Sequence, residues 1–284
     1  MAKKLLFQFD TDITPSVFDT VVGYDGGADH ITGIAGVNMD NVSAMVDGCI
    51  YTRADKKNTA IFVGGSSLEN GEKVFEKIKK RFFGGFRVSI MFDSNGSNTT
   101  AAAAIANITN VCSVENKKAV ILGGTGPVGQ RASALLSKEG ANVFITSRSL
   151  DKANSVCESI NKRFNVNCSS LPGSSLEERR EAISDASIVI ATGASGVILL
   201  NEDDWASNSS IEVLCDANAM PPLGISGIEM NDKSQNRHGK KTFGAIGFGG
   251  LKISVHRACI AKLFESNDLC FDAEEIYKFA KEMV

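Results

Sequence analysis

Lys118-Ala-Val-Ile-Leu-Gly-Gly-Thr-Gly-Pro-Val-Gly-Gln130 is the stretch on which the reading of this chain turns. Residues 119–122 form a short apolar run, read as a buried strand. Gly124, Gly126 and Gly129 then fall at G-x-G-x-x-G spacing, residues 128–138 carry helical periodicity, and Asn142-Val-Phe-Ile-Thr146 reads as the next strand. Strand, glycine turn, helix and strand within about thirty residues is the context a dinucleotide fingerprint requires. One glycine makes the tight turn, one lets the backbone approach a pyrophosphate, and one lets helix and strand pack closely. Helix N-terminal N–H groups then face the phosphates. Gly124, Thr125, Gly126, Pro127, Val128 and Gly129 are therefore the first candidate cofactor residues.

The end of the second strand indicates which dinucleotide. An NAD site places Asp or Glu there for the ribose 2′-hydroxyl. This chain has Ser147-Arg148-Ser149 and no acid until Asp151. A permanently charged fork of donors suits a 2′-phosphate, so Ser147 and Arg148 point to NADP. Further along, Thr192-Gly193 ends one strand, Asn218 ends another, and Gly247 lies in Phe243-Gly-Ala-Ile-Gly-Phe-Gly-Gly250, read as a last strand whose glycines leave room for a flat ring. These complete the candidate cofactor set.

Working outward, strands are expected over residues 5–9, 59–63 and 87–92. They alternate with a helix opened by Pro15 and one over residues 68–83 capped by Ser67, which makes the N-terminal part an α/β domain of its own. Lys77, Lys79, Lys80 and Arg81 on the second helix read as a solvated face or an attractor for an anionic tail. Asp93-Ser-Asn-Gly-Ser-Asn-Thr-Thr100 has more polar residues between strand and helix than a cap needs, at the sheet edge where α/β proteins bind ligands. Lys252 and His256 share one face of a helix expected over residues 252–264. Asp272-Ala-Glu-Glu275 reads as the capping box of a last helix. The expected architecture is two α/β domains around a cleft, the C-terminal one a Rossmann-type NADP-binding domain. Residues 1–112 form the first, 113–264 the second, and 265–284 a helix packing back on the first.

Composition narrows the classes. With 284 residues, 43% hydrophobic content and a formal charge of −3, the chain has no global basic field for nucleic acid. No apolar run approaches the ~20 residues needed to span a bilayer. Seven scattered cysteines without a C-x-x-C suggest reduced thiols in a cytoplasmic protein. Asp25 and Asp29 lack calcium-loop spacing, so no metal site is expected.

Leu-Leu-Phe-Gln-Phe-Asp-Thr-Asp near the start, Gly-Tyr-Asp-Gly-Gly-Ala-Asp-His30, the Asp93–Thr100 run, Gly-Thr-Gly-Pro-Val-Gly129, Pro221-Pro-Leu-Gly224, Gly249-Gly-Leu-Lys252 and His256-Arg-Ala-Cys-Ile-Ala-Lys-Leu-Phe-Glu265 carry a further signal. Together they resemble the NADP-dependent methylenetetrahydromethanopterin dehydrogenases of methylotrophic bacteria, relatives of the methylenetetrahydrofolate dehydrogenases. The resemblance covers essentially the whole chain. It implies hydride transfer from N5,N10-methylenetetrahydromethanopterin, or also methylenetetrahydrofolate, to NADP+, within one-carbon metabolism and formaldehyde oxidation. It further implies a homotrimer whose neighbouring subunit completes the pterin cleft, and a pterin site of Phe18, Thr100, Lys252 and His256. The competing readings are a shikimate-dehydrogenase-like NADP oxidoreductase, whose catalytic Lys would sit with an Asp in the N-terminal domain, and a non-catalytic NADPH-sensing protein.

Overall fold

The structure, a computed structural model, describes residues 2–284. The chain divides into two units: the segment up to Thr99 together with Ile253–Phe279, and Thr100–Lys252 together with Ala280–Val284. The sequence expectation put the boundaries at 112 and 264; the structural units part inside three helices.

In the first unit, β1 (Leu5–Asp10), α1 (Val17–Asp25), β2 (His30–Ile34), α2 (Val42–Tyr51), β3 (Thr59–Gly64), α3 (Leu68–Arg81), β4 (Ser89–Phe92) and the start of α4 (Ser97–Val111) follow one another. β2 and α2 are additions to the sequence reading. The strands line up parallel with β3 beside β1, β2 outside β1 and β4 outside β3. All six residues of β3 are buried, as a central strand covered on both faces requires. Strand alternation sends Phe7 and Phe9 toward α2 and α3, where they join Val46, Ile50, Ile61, Val74, Phe75 and Ile78 in one apolar cluster. Gln8, two residues from Leu6 and Asp10 along the strand, shares their opposite face. There Gly23 of α1 lies so close that a Cβ would meet the Ile31 and Leu6 side chains at 2.7 and 3.1 Å.

The second unit contains β5 (Lys118–Leu122), α5 (Pro127–Lys138), β6 (Asn142–Ser147), α6 (Leu150–Phe164), β7 (Ser169–Pro172), α7 (Leu176–Ile183), β8 (Ile188–Ala191), α8 (Glu202–Trp205), β9 (Val213–Asp216), β10 (Lys233–Arg237), β11 (Lys240–Gly244) and the start of α9 (Ala245–Leu263). Its sheet runs β10-β11-β9-β8-β5-β6-β7, parallel except for the edge hairpin β10–β11. The order reverses between β5 and β8, which is the switch point where doubly wound sheets hold dinucleotides. The chain returns to the first unit with β12 (Cys270–Phe271), which pairs parallel to β4, and α10 (Ala273–Glu282), which crosses the third boundary.

Local contacts set the edges of this sheet, and one of them changes a sequence expectation. No strand follows α6 directly: Asn165 takes a left-handed conformation (φ 52°) and closes that helix, and β7 begins at Ser169. The polar stretch 231–241 carries most of the edge hairpin β10–β11. It is held by Arg237, which donates to both carboxylate oxygens of Asp232 at 2.7 and 2.8 Å, while Thr242 donates to the same carboxylate. Gly244 ends β11, but Gly247, Gly249 and Gly250 belong to α9 and not to the end of a strand, which places Lys252 eight residues into that helix instead of at its start. Helix pairing wins there because the first turn of α9 packs on the preceding loop: Ile246 and Gly247 N–H groups both donate to the Met230 carbonyl at 2.9 Å.

Candidate active site

At the β5 end of the switch point the glycines divide their work differently from the simple fingerprint. Gly123, which the spacing passes over, makes the left-handed turn at φ 65°. A Cβ on it would lie 2.7 Å from the Gly193 Cα, so the loops after β5 and β8 touch backbone to backbone. Gly129 is required by packing, since its Cβ would meet the Gly124 Cα and carbonyl oxygen at 2.6 Å and the Thr192 Oγ1 at 2.6 Å. Gly126 has no such constraint: its φ is −79°, and a Cβ added there would find its nearest protein atom, the Thr192 carbonyl oxygen, at 3.9 Å. It is also the N-cap of α5, and no side chain caps that helix. Pro127 at the first helical position lacks an N–H in any case. The N–H groups of the first turn are thus left for a ligand anion, with the helix dipole favouring negative charge.

Thr146 stitches this turn to β6. Its carbonyl accepts from the Gly124 N–H at 3.1 Å and its Oγ1 from the Gly123 N–H at 3.3 Å. One residue on, Ser147 is half-buried and Arg148 exposed, and Arg148 has no hydrogen-bond or ion-pair partner among the described residues. Ser149 is committed elsewhere: its hydroxyl accepts from the Lys152 N–H and caps α6. The donors available to a 2′-phosphate are therefore Arg148 and the Ser147 hydroxyl.

At the end of β9 the carboxyl of Asp216, fully buried, accepts from the Asn218 N–H at 2.9 Å and the Ile225 N–H at 2.7 Å. Burial pushes its pKa above the usual carboxylate range. Asp216, which the sequence reading did not single out, closes the loop that carries Asn218 and the cis Pro221–Pro222 bond. The Asn218 Nδ2 lies beside that carboxyl but is buried without a well-formed hydrogen bond among the described residues. Gly247 has a different fate: a Cβ there would strike the Asp232 carbonyl oxygen at 1.8 Å, so its glycine serves the packing of α9. Gly249 meets no protein atom within 4 Å of a Cβ, so the face of α9 just before Lys252 is open.

In the first unit the structure brings Phe18 and His256 together, with ring centroids 6.4 Å apart. Phe18 is half-exposed, while His256 is 1% exposed and stacks on Phe62 at 5.3 Å. His256 Nδ1 also lies 4.0 Å from the Asp93 carboxylate. Phe18 is thus the surface of this cluster and His256 its support. Thr100 and Lys252 belong to the second unit, Lys252 one turn before His256 along α9.

The polar run after β4 is mostly structural. Asp93 Oδ1 accepts from the Asn98 N–H at 2.8 Å and the Thr99 N–H at 3.1 Å, and Oδ2 accepts from the Thr99 hydroxyl at 2.6 Å. Ser94 donates to the Gly64 carbonyl, Ser97 to the Ser94 carbonyl, and Asn98 to the Phe92 carbonyl. All five of these side chains are buried. Of the run, Asn95, Gly96 and Thr100 reach solvent. The cysteines offer no nucleophile: burial pushes Cys49 up to about 12 and Cys157 up to about 11.

Comparison with known proteins assigns the two halves separately. The family described as methylene-tetrahydromethanopterin dehydrogenase, N-terminal, matches residues 17–95, and that described as shikimate / quinate 5-dehydrogenase matches residues 105–216. Over the whole chain, a protein of Methylorubrum extorquens described as bifunctional protein MdtA is 60% identical, the match covering 100% of both chains. An NAD(P)-dependent methylenetetrahydromethanopterin dehydrogenase of the same organism is 29% identical, over 100% of this chain and 99% of its own. The chain belongs to the methylenetetrahydromethanopterin dehydrogenase family. Among solved structures, shikimate 5-dehydrogenase of Listeria monocytogenes superposes with a TM-score of 0.58 at 15% identity, covering 99% of this chain and 96% of that one. That likeness is one of fold: two α/β units, the second of Rossmann type. The methylene-tetrahydromethanopterin dehydrogenase match falls within the first unit, where Phe18 and Asp93 lie.

Proposed function

We propose that this dehydrogenase oxidises N5,N10-methylenetetrahydromethanopterin with NADP+, giving the methenyl cation and NADPH, and that methylenetetrahydrofolate is a second substrate. The observation that carries the reading is the match over the full length to relatives of that family, joined to an uncapped glycine turn with a free arginine beside it. The 60% identical relative is itself described as bifunctional, which supports more than one activity.

NADP+, when bound, supplies the hydride acceptor. The first turn of α5 holds its pyrophosphate, Arg148 and Ser147 its 2′-phosphate, and the Asn218 amide is a buried donor at the same sheet edge. The substrate's two nitrogen lone pairs expel the hydride, and the resulting cation is delocalised over both nitrogens. No strong base is required of the protein. Its work is orientation of the reacting carbon and exclusion of water. Phe18 offers a ring face to the pterin, and Thr100 and Lys252 hydrogen-bond its polar edge. Lys252 acts by positioning and charge rather than as a proton carrier. The homotrimer, the cytoplasmic location and the place in formaldehyde oxidation belong to the same proposal, supported by the resemblance in sequence.

The experiment is NADP+ reduction by the purified protein with methylenetetrahydromethanopterin, methylenetetrahydrofolate and shikimate in parallel. Turnover with the two pterins and none with shikimate is expected; turnover with shikimate alone overturns the proposal. Lys252→Ala is expected to lower kcat/KM for the methylene pterin on the order of 10²-fold with NADP+ affinity kept.

A further inference from the structure

We propose that Gln8, a buried residue of β1, is a positioning residue that sets the substrate face of α1. The proposal rests on the reading that Phe18 lies against the pterin.

α1 has little apolar burial to hold it. Of its nine residues only Val22 and Gly23 are buried, while Val17, Phe18, Val21 and Tyr24 are 77%, 45%, 53% and 48% exposed. A helix this short has no stability of its own and takes its position from tertiary contacts. At its C-terminal end the contacts are the Arg257–Asp25 ion pair and the approach of Gly26 to Ile260, where a Cβ would lie at 2.7 Å. The ion pair is about half-exposed on both sides and holds weakly.

At the N-terminal end, two side chains on one face of β1 grip the same residue. Asp10 Oδ2 accepts from the Ser16 N–H at 2.9 Å, and Gln8 Nε2 donates to the Ser16 carbonyl at 3.1 Å. Gln8 Oε1 accepts from the Thr20 hydroxyl at 2.8 Å, one turn into the helix; the Ser16 carbonyl is that hydroxyl's other acceptor, at 3.0 Å. Ser16 is the N-cap, its own Oγ accepting from the Asp19 N–H. Just before it, Pro15 sits on Gly33 of β2, where a Cβ would be 3.0 Å from two ring carbons. Both backbone groups of the N-cap and a side chain four residues later are therefore fixed to the sheet. That fixes the rotation of α1 about its axis, and with it the direction of Phe18 toward His256.

Gln8 and Asp10 are 1% exposed, so neither touches a bound molecule. An amide suits position 8 because it donates at one end and accepts at the other. Leucine fills similar space and does neither. Glutamate accepts from Thr20 but donates to the Ser16 carbonyl only when protonated, and burial raises a carboxyl's pKa toward neutrality. Gln8→Glu thus turns the clamp into a pH-dependent one.

The test compares Gln8→Leu, Gln8→Glu, Thr20→Val and Phe18→Ala in steady-state assays of methylenetetrahydromethanopterin oxidation, after circular dichroism confirms folding. The pterin KM of Gln8→Leu is expected to rise about tenfold with the NADP+ KM unchanged. Gln8→Glu should match it near pH 8 and return toward the wild-type value near pH 6, a limb the wild type lacks. If Gln8→Leu does not fold, the Gln8→Glu profile and a smaller KM rise in Thr20→Val decide. The proposal is overturned, with the reading of Phe18 intact, if Phe18→Ala is impaired while the Gln8→Glu profile parallels wild type. It is equally overturned if the NADP+ KM moves by the same factor as the pterin KM. An unimpaired Phe18→Ala removes the reading of Phe18 and the proposal with it.

Discussion

Two strand-to-helix connections in this protein have the same topology and opposite chemistry. Residues 123–126 join β5 to α5, and residues 93–96 join β4 to α4; each follows the carboxyl end of a buried parallel strand. In the first, the helix begins at a glycine with no side-chain cap, and the turn has room where a side chain would be. In the second, the Asp93 carboxylate reaches five and six residues ahead and takes the N–H groups of Asn98 and Thr99. A helix N-terminus attracts an anion in either case. One connection leaves that place for a cofactor's phosphate, and the other fills it from within the chain. Position at a sheet edge therefore indicates where a ligand can bind, and the side chains of the turn decide whether it does.

Breaking the internal anion has the largest expected effect. Asp93→Ala leaves two buried N–H groups and the Thr99 hydroxyl without their acceptor, and should lower unfolding free energy by about 3 kcal/mol in a denaturant titration. NADP+ affinity of the surviving fold should stay within about twofold. A variant as stable as wild type would mean that Asp93 does not hold the start of α4.

Removing the external anion's partner comes next. Arg148→Ala should weaken NADP+ by roughly ten- to hundredfold, about 1.5–3 kcal/mol, and leave NAD+ nearly unchanged in an isothermal titration. Equal weakening of both dinucleotides would show that Arg148 does not read the 2′-phosphate.

The sharpest contrast has the smallest effect. Gly126→Ala meets no protein atom closer than 3.9 Å, so the melting temperature should not fall. NADP+ should nevertheless bind about tenfold more weakly, because the new methyl group occupies the space left for phosphate. Unchanged affinity would count against that use of the open turn.

The contrast also explains what the sequence could carry. The second unit's core elements were legible because β5, α5 and β6 are local signals: an apolar run, glycine spacing and helical periodicity within thirty residues. Gly123 and Asp216 were not, since one is identified by its φ and its contact with Gly193, and the other by loop residues two and nine positions away. β2 was hidden because His30-Ile-Thr-Gly-Ile34 has an exposed end and a glycine set by the packing of Pro15. The start of α9 was misread for a related reason: Phe243-Gly-Ala-Ile-Gly-Phe248 is apolar and glycine-rich, with no helix-start signal of its own, and it turns helical beyond Gly244 in contact with residues 229–232. At the site, the residue types at Phe18 and His256 were readable, but the burial of His256 beneath Phe18 required the fold. The excess of polar residues in the Asp93 run looked like a ligand site because buried capping networks and binding sites use the same amino acids.

The most direct measurement follows the hydride itself. Methylenetetrahydromethanopterin carrying two deuterium atoms on its methylene carbon is oxidised by the purified protein with NADP+, and the reduced dinucleotide is weighed by mass spectrometry. Direct transfer predicts NADPH one mass unit heavier, with the second deuterium retained in the methenyl product. Unlabelled NADPH formed at the same rate, or no reduction dependent on the protein, would contradict the account.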